Sequence, residues 1–165
     1  MNGPSHRVFA AATWLAVAPA LPVAPWQVAV GAVVAGATGN GRLSPDVDHP
    51  NFEVSRWVPG GHRGWTHFWA IPLLMFGAGL SAGDQGWWLL AVAVAWASHL
   101  VGDWICGAIP IWPGKRGQWQ RAGLHLKTGG LTEVWLLRPA AAVAVVAFGF
   151  MDLFGGPSVV IRALR

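Results

Sequence analysis

Carboxylates are scarce in this chain, with seven acidic residues in 165, yet "SPDVDHPN" (44–51) sets Asp46, Asp48 and His49 within four positions. The same residue types recur downstream: His62 and His67 in "GHRGWTHFW", His99 and Asp103 in "SHLVGDW", then His125 and Glu133 in "HLKTGGLTE". His6 stands ahead of the first apolar stretch. Imidazole mixed with carboxylate is a donor set for zinc or manganese-type ions. The spacing supports a shared site. His99 and Asp103 are four apart and so share one face of a helix. Pro45 biases Ser44 toward extended backbone, and Asp46 and Asp48 point the same way if the run stays extended. Thr66 is a candidate N-cap that would put His67 in a first helical turn, and the glycines of "GGHRG" let the chain bend toward the same point.

Taken singly, each piece has a plainer reading. "DVDHP" has turn chemistry, His99 with Asp103 is a helix-stabilising pair, and Glu133 suits the start of a helix dipole. His6, His67, His125 and Arg63 are unremarkable as surface, cap or loop residues. The joint pattern outweighs these readings, because the ligand types from three segments converge on one side of the elements that carry them.

Those elements are apolar. Hydrophobic residues make up 54% of the chain and charged residues 11%, against about a quarter in soluble domains. Mean hydropathy is +0.45. There are 12 Trp and no Tyr, and Trp collects at membrane–water boundaries. Five apolar segments are expected to be helices: 8–24, 26–38, 68–80, 87–109 and 139–154. The expected fold is all-α, a polytopic membrane bundle of about five transmembrane helices forming one domain over residues 1–165. The fourth segment is the strongest, since a hydrocarbon core of about 30 Å needs about 20 helical residues. Counted from Trp87, His99 lies about 18 Å along it and Asp103 about 24 Å, so the ligands sit toward one membrane face.

Basic residues assign that face. Arg7, Arg42, Arg56, Arg63, Lys115, Arg116, Arg121, Lys127 and Arg138 fall on one side of a five-span topology, and Arg162 and Arg165 on the other. The positive-inside rule makes the first side cytoplasmic, giving a multi-pass inner (plasma) membrane protein with its metal site facing the cytoplasm. The same rule accounts for the net charge of +4. Without a dense basic run interleaved with stacking aromatics, nucleic acid is not an expected partner. The lone Cys106 excludes an internal disulfide framework. The first two dozen residues also have the outline of a cleaved signal peptide, but the later apolar segments and the use of His6 argue for retention.

"SPDVDHPN", "GHRGWTHFWA" and "SHLVGDWICGAIPIWP", in that order and followed by "LKTGGLTE", resemble the membrane-bound metal-dependent hydrolase family of the YdjM type, one member of which is described as LexA-binding. "SHRVFAAAT" fits the family's N-terminal histidine, and the likeness runs from about residue 5 to residue 135. It implies metal binding by Asp46, Asp48, His49, His62, His67, His99 and Asp103, extending to His6 and Glu133. It also implies a distant likeness to the zinc-dependent phospholipase C and P1 nuclease group of helical phosphoesterases. Phe68 departs from the smaller residue the family often carries there, which would narrow the entrance.

The expected function is therefore a metal-dependent hydrolase cleaving a phosphoester, lipid or otherwise, by metal-activated water. One to three divalent ions are implied, zinc ahead of manganese. Asp48, Arg63 and Glu133 are the candidate catalytic residues. Asp48 or Asp103 would bridge ions, a loop histidine or Asp48 would take the proton, and Arg63 would stabilise phosphoryl charge. The basic loop from Lys115 to Lys127 would draw anionic headgroups. The expected partners are the bilayer, an anionic lipid or phosphoester substrate, and a regulatory protein. Two rivals remain: a non-catalytic protein braced by its metal and binding a regulatory partner, and an ion or metal transporter.

Overall fold

Each of the five apolar segments contains a helix, and prolines and glycines set most of the boundaries. The computed structural model describes residue 1 and residues 3–110, 112, 119–120 and 126–153. Helix α1 (Gly3–Val17) is followed by a 3-10 turn, Ala18–Ala20. It begins earlier than its apolar stretch, which brings His6 into its first turns. It also stops earlier, because Pro19 and Pro22 cannot continue the hydrogen-bond ladder. Helix α2 (Pro25–Thr38) opens with proline at its first position, and the Gln27 side chain accepts the Ala24 N–H at 2.6 Å. Helices α3 (Ala70–Ser81), α4 (Trp87–Cys106) and α5 (Arg138–Leu153) follow, the last entered through a π-helical turn, Glu133–Leu137. The all-α expectation is qualified by one short antiparallel contact, Ile109 opposite Gln120 and Pro110 opposite Trp119.

Among the described residues, α4 alone is long and apolar enough to cross a membrane, with 20 residues and a length of about 30 Å. The other four have 15, 14, 12 and 16 residues, or roughly 18–24 Å. The outward faces of α2, α3 and α5 are nonetheless apolar: Val30 and Val33 on α2, Leu73 and Leu74 on α3, and Val143 and Val146 on α5 are all exposed. Trp26 packs edge-on against Trp87, ring centroids 5.3 Å apart, where α2 and α4 begin. Trp57, Trp65, Trp69, Trp104, Trp112 and Trp135 are exposed and belong to the opposite end. Trp119, expected with that group, has a side chain outside the described part. Lys115, Arg116, Arg121, His125, Arg162 and Arg165 also lie outside the described residues.

The core joins α1, α2 and α4 around Trp14, which is fully buried and donates its indole N–H to the Val28 carbonyl at 2.8 Å. The buried stripe of α4 explains how this core leads to a polar site. It runs through Leu90, Ala91, Val94, Ala95, Ser98, His99, Gly102 and Asp103, the spacing of one helical face. Its first half is hydrocarbon and its last two turns carry polar ligands. The face that packs the bundle is thus the face that presents the chemistry.

Small residues permit the approach. A Cβ on Gly31 would stand 2.5 Å from the Trp14 indole, and one on Gly102 would stand 3.0 Å from the His6 ring. Gly31→Leu should therefore overpack the α1–α2 contact and destabilise the protein by about 1–3 kcal/mol. The readout is the thermal unfolding midpoint of the detergent-solubilised protein, and an unchanged midpoint would mean that α2 does not seat on Trp14.

Candidate metal centre

The polar residues gather where α1 begins, α2 ends, α3 begins and α4 ends. Two 3-10 turns supply the loop ligands. The first, Pro45–Asp48, is started by Ser44, whose hydroxyl accepts the Asp46 N–H at 3.1 Å. The second, Trp65–His67, immediately precedes α3. Ser44 is extended, as Pro45 requires. The segment after it does not stay extended, so Asp46 and Asp48 diverge instead of pointing together. Thr66 does not cap α3 either. It lies inside the second turn, its hydroxyl donating to Asp48 Oδ2, and His67 precedes the helix.

Four residues bring one ligand atom each to a common point: Asp46, His67, His99 and Asp103. His67 Nε2 lies 3.6 Å from Asp46 Oδ1 and 3.5 Å from Asp103 Oδ2. His99 Nε2 lies 3.5 Å from Asp46 Oδ1 and 3.7 Å from Asp103 Oδ2. These gaps are too long for well-formed hydrogen bonds. They are close to the ligand–ligand separation of about 3.3–3.6 Å that a tetrahedral ion with bonds of about 2.0–2.2 Å imposes. Both Nε2 atoms are buried without a hydrogen-bond partner, which is costly unless something else satisfies them. The donor set and the two orphaned nitrogens fit a divalent metal ion.

The other ring nitrogens show how the ligands are oriented. His99 Nδ1 donates to the Gly39 carbonyl at 2.9 Å, which leaves Nε2 as the lone-pair atom of the neutral ring. His67 Nδ1 faces Asp48 Oδ2 at 3.5 Å and the Thr66 hydroxyl at 3.1 Å. Asp48 is thus placed behind His67, in the carboxylate–histidine arrangement that metal-binding imidazoles commonly use. It is completely buried and also takes His62 Nδ1 at 2.8 Å. His62 is 31% exposed at its side chain, and His49 packs edge-on against it at 4.9 Å. Neither His49, His62 nor Asp48 joins the four-residue group.

His6 is stacked on His99 at 3.8 Å, with Nε2 3.2 Å from Asp103 Oδ1 and its own Nδ1 unpartnered. Arg63 donates from Nη2 to Asp103 Oδ2 at 3.1 Å and from Nη1 to the Ala108 carbonyl at 3.2 Å. Its φ of +61° is costly for a residue with a Cβ, and such strain gathers at functional sites. Glu133 is buried apart from the four-residue group, its carboxylate accepting the Gly129 N–H at 2.8 Å in the turn before α5. Phe68 packs against Trp69 and Trp112 at the rim. The Thr66 hydroxyl and the Gly39 and Ala108 carbonyls are the partners that sequence reasoning missed. Only Thr66, beside His67, left any signal.

Charge follows this geometry. Burial alone would lower the His67 pKa, but Asp103, Asp46 and Asp48 around the ring outweigh it and push it up to about 10. Burial alone would raise the Asp46 and Asp48 pKa values. His67 and His99 instead hold Asp46 well below the usual carboxylate range, and His62, His67 and Thr66 do the same for Asp48. In the metal-free protein His67 therefore carries a proton at neutral pH, and a metal ion must displace it.

The sequence model of the YdjM inner membrane protein family matches residues 1–160 of the chain. No curated protein and no solved structure matches it.

Two predictions follow from the cluster. Asp103→Asn should remove bound metal, whereas Asp48→Asn, which disturbs the support behind His67 and no atom of the four-residue group, should weaken affinity about 10–100-fold. Elemental analysis and metal titration separate the two, and full metal content in Asp103→Asn would take Asp103 out of the centre. The second concerns pH. The His67 proton stabilises the metal-free fold fully below its ordinary value of 6.5 and is lost as pH rises through about 10. Metal affinity should accordingly rise by about tenfold per pH unit near neutrality, with about one proton released per ion bound. Calorimetry in buffers of different ionisation enthalpy measures that release, and no release would contradict the displacement of the His67 proton.

Proposed function

The chain belongs to the YdjM inner membrane protein family, and on that footing we propose that it is a membrane-embedded, metal-dependent hydrolase acting on a phosphoester at a centre that faces the cytoplasm. The observation that carries this reading is the four-atom group from Asp46, His67, His99 and Asp103, with two buried imidazole nitrogens lacking hydrogen-bond partners. A divalent ion held there, zinc ahead of manganese, would polarise a phosphoryl oxygen and acidify a water.

The chain's own residues have separable roles in this reading. Asp48 fixes the tautomer and tilt of His67 and keeps Nε2 turned toward the ligand group. His62, paired to Asp48 and reaching the surface, is the group placed to pass a proton to solvent. Arg63, tethered to Asp103 and to the Ala108 carbonyl, puts a fixed positive charge where phosphoryl oxygens would gather. Buried Glu133 supports the turn leading into α5. The apolar outer faces of α2 to α5 favour a hydrocarbon surrounding for the bundle, and the basic residues at the ligand end favour the cytoplasmic assignment.

A second reading has a specific observation behind it. Four protein donors are the complement of a closed structural site, so the ion would brace the two 3-10 turns against α4 without catalysis. A transporter is less well supported, since the stripe of α4 away from the ligands is hydrocarbon packed on Trp14.

Purified, metal-loaded protein is expected to hydrolyse p-nitrophenyl phosphomono- or diesters, to lose activity with a chelator, and to regain it with zinc or manganese. Arg63→Ala should keep its metal and lose about 100-fold in kcat. A protein whose metal raises its melting temperature but which turns over no phosphoester would favour the brace. Cysteines introduced at Arg56 and Arg165 should label from opposite sides of intact cells, and labelling from the same side would defeat the five-span topology.

A further inference from the structure

An apolar groove of about 240 Å³ runs between α3 and α4 beside the ligand cluster. Its floor is Pro72 and Leu100, both buried, and its rim is Trp69, Leu73 and Trp104, all exposed. The residues that line it contribute no charged side chain. The groove and the cluster are built on neighbouring positions of α4 and of the segment entering α3. Leu100 and Trp104 directly follow His99 and Asp103 on α4, turned from them by about 100° around the helix. Trp69 lies two residues after His67. The ligand group thus lies one or two residues along the chain from three residues of the groove lining.

We infer that this groove seats one hydrocarbon chain of a membrane lipid whose phosphate headgroup reaches the ligand cluster. The inference rests on the phosphoester reading above and names its substrate class. Three features select a lipid chain as the occupant. The chain belongs to an inner membrane family, and the groove opens on the outward side of α4, the membrane-length helix, so the medium it meets is acyl chain. A volume of 240 Å³ holds about eight methylenes, each near the roughly 30 Å³ that a water molecule occupies in the liquid. Trp69 and Trp104 edge the groove at the ligand end, the level at which indoles meet headgroups. Transfer from bilayer to groove exchanges one hydrocarbon for another and adds little affinity. The groove acts by orientation: it holds the chain so that the headgroup is delivered to the cluster in one register.

The test uses the full-length, metal-loaded protein in proteoliposomes. The probe is a dialkyl phosphonate lipid, resistant to hydrolysis, with a diazirine midway along one chain. A neutral dialkylglycerol with the same diazirine controls for lipids that merely surround the protein. Mass spectrometry of cross-linked peptides should find the phosphonate probe on the 72–73 and 97–101 segments about tenfold more often than the neutral one. The open face between α1, α2 and α5, around Val33 and Val146, should take both probes equally. Ala97 is exposed at the groove wall, so Ala97→Phe fills the groove without touching the cluster. It should cut α3–α4 labelling about tenfold with metal content and labelling near Val33 unchanged, while Ala97→Gly keeps wild-type labelling. Wild-type labelling in Ala97→Phe, or equal labelling by both probes at the α3–α4 groove, would overturn the lipid site. Groove labelling by a protein that turns over no phosphoester would sink the hydrolase reading alone and leave the lipid site standing.

Discussion

Asp103 is a carboxylate about 1% exposed, near the end of a 20-residue apolar helix, and the rest of the ligand end is organised around its charge. An isolated buried anion is costly by several kcal/mol, and insertion of Asp at the centre of a membrane helix costs about 2.5–3.5 kcal/mol. The fold meets that cost with cationic or protonatable groups from three separate segments. The His6 ring comes from α1, Arg63 and His67 from the loop before α3, and His99 from the previous turn of α4. Each contact also locates an element. His6 sets the depth of α1 against Gly102, Arg63 holds its loop onto the end of α4, and His67 fixes where α3 starts.

A cluster of this kind is suited to hold either a proton or a metal ion, which links packing to chemistry. With a proton on His67, three carboxylates face a cation and the metal-free fold is held together. A metal ion in the proton's place would take the same side chains as donors. Asp48, Thr66 and the Gly39 carbonyl hold the imidazoles from behind. The ligand end is thus preorganised by hydrogen bonds to the Nδ1 atoms, which leave both Nε2 atoms turned to the group.

The helices that deliver this cluster differ in how they meet their surroundings. The stripe of α4 turned to the core is packed by small residues and Trp14, while its other face, with Trp88, Val101 and Trp104, is exposed and apolar. A helix apolar on both sides of a polar terminus cannot be satisfied by water alone. It is suited to hydrocarbon along its length and to polar contacts only at its end.

Much of this was readable in the residues. Five apolar segments gave five helices because hydrophobic runs bounded by proline and glycine leave the backbone few alternatives. That histidines and carboxylates from the loop and α4 would share a site was expected from residue type and the i, i+4 spacing on α4. The expected ligand set, however, also held His6, Asp48, His49 and His62, which lie outside the four-residue group. What the sequence could not decide was which atom of each side chain meets the others. Asp46 and Asp48 look equivalent in "PDVDHP", yet a 3-10 turn in place of extended chain sends one into the ligand group and the other behind His67. Thr66 reads as a helix cap and becomes a hydroxyl support for Asp48. The His6 ring seated on Gly102 likewise emerged only on packing. Type and periodicity are local properties that a chain carries wherever it goes. Rotation of a side chain within a turn, and the carbonyl it meets across 60 residues of sequence as His99 meets Gly39, are settled only when distant segments exclude one another's alternatives.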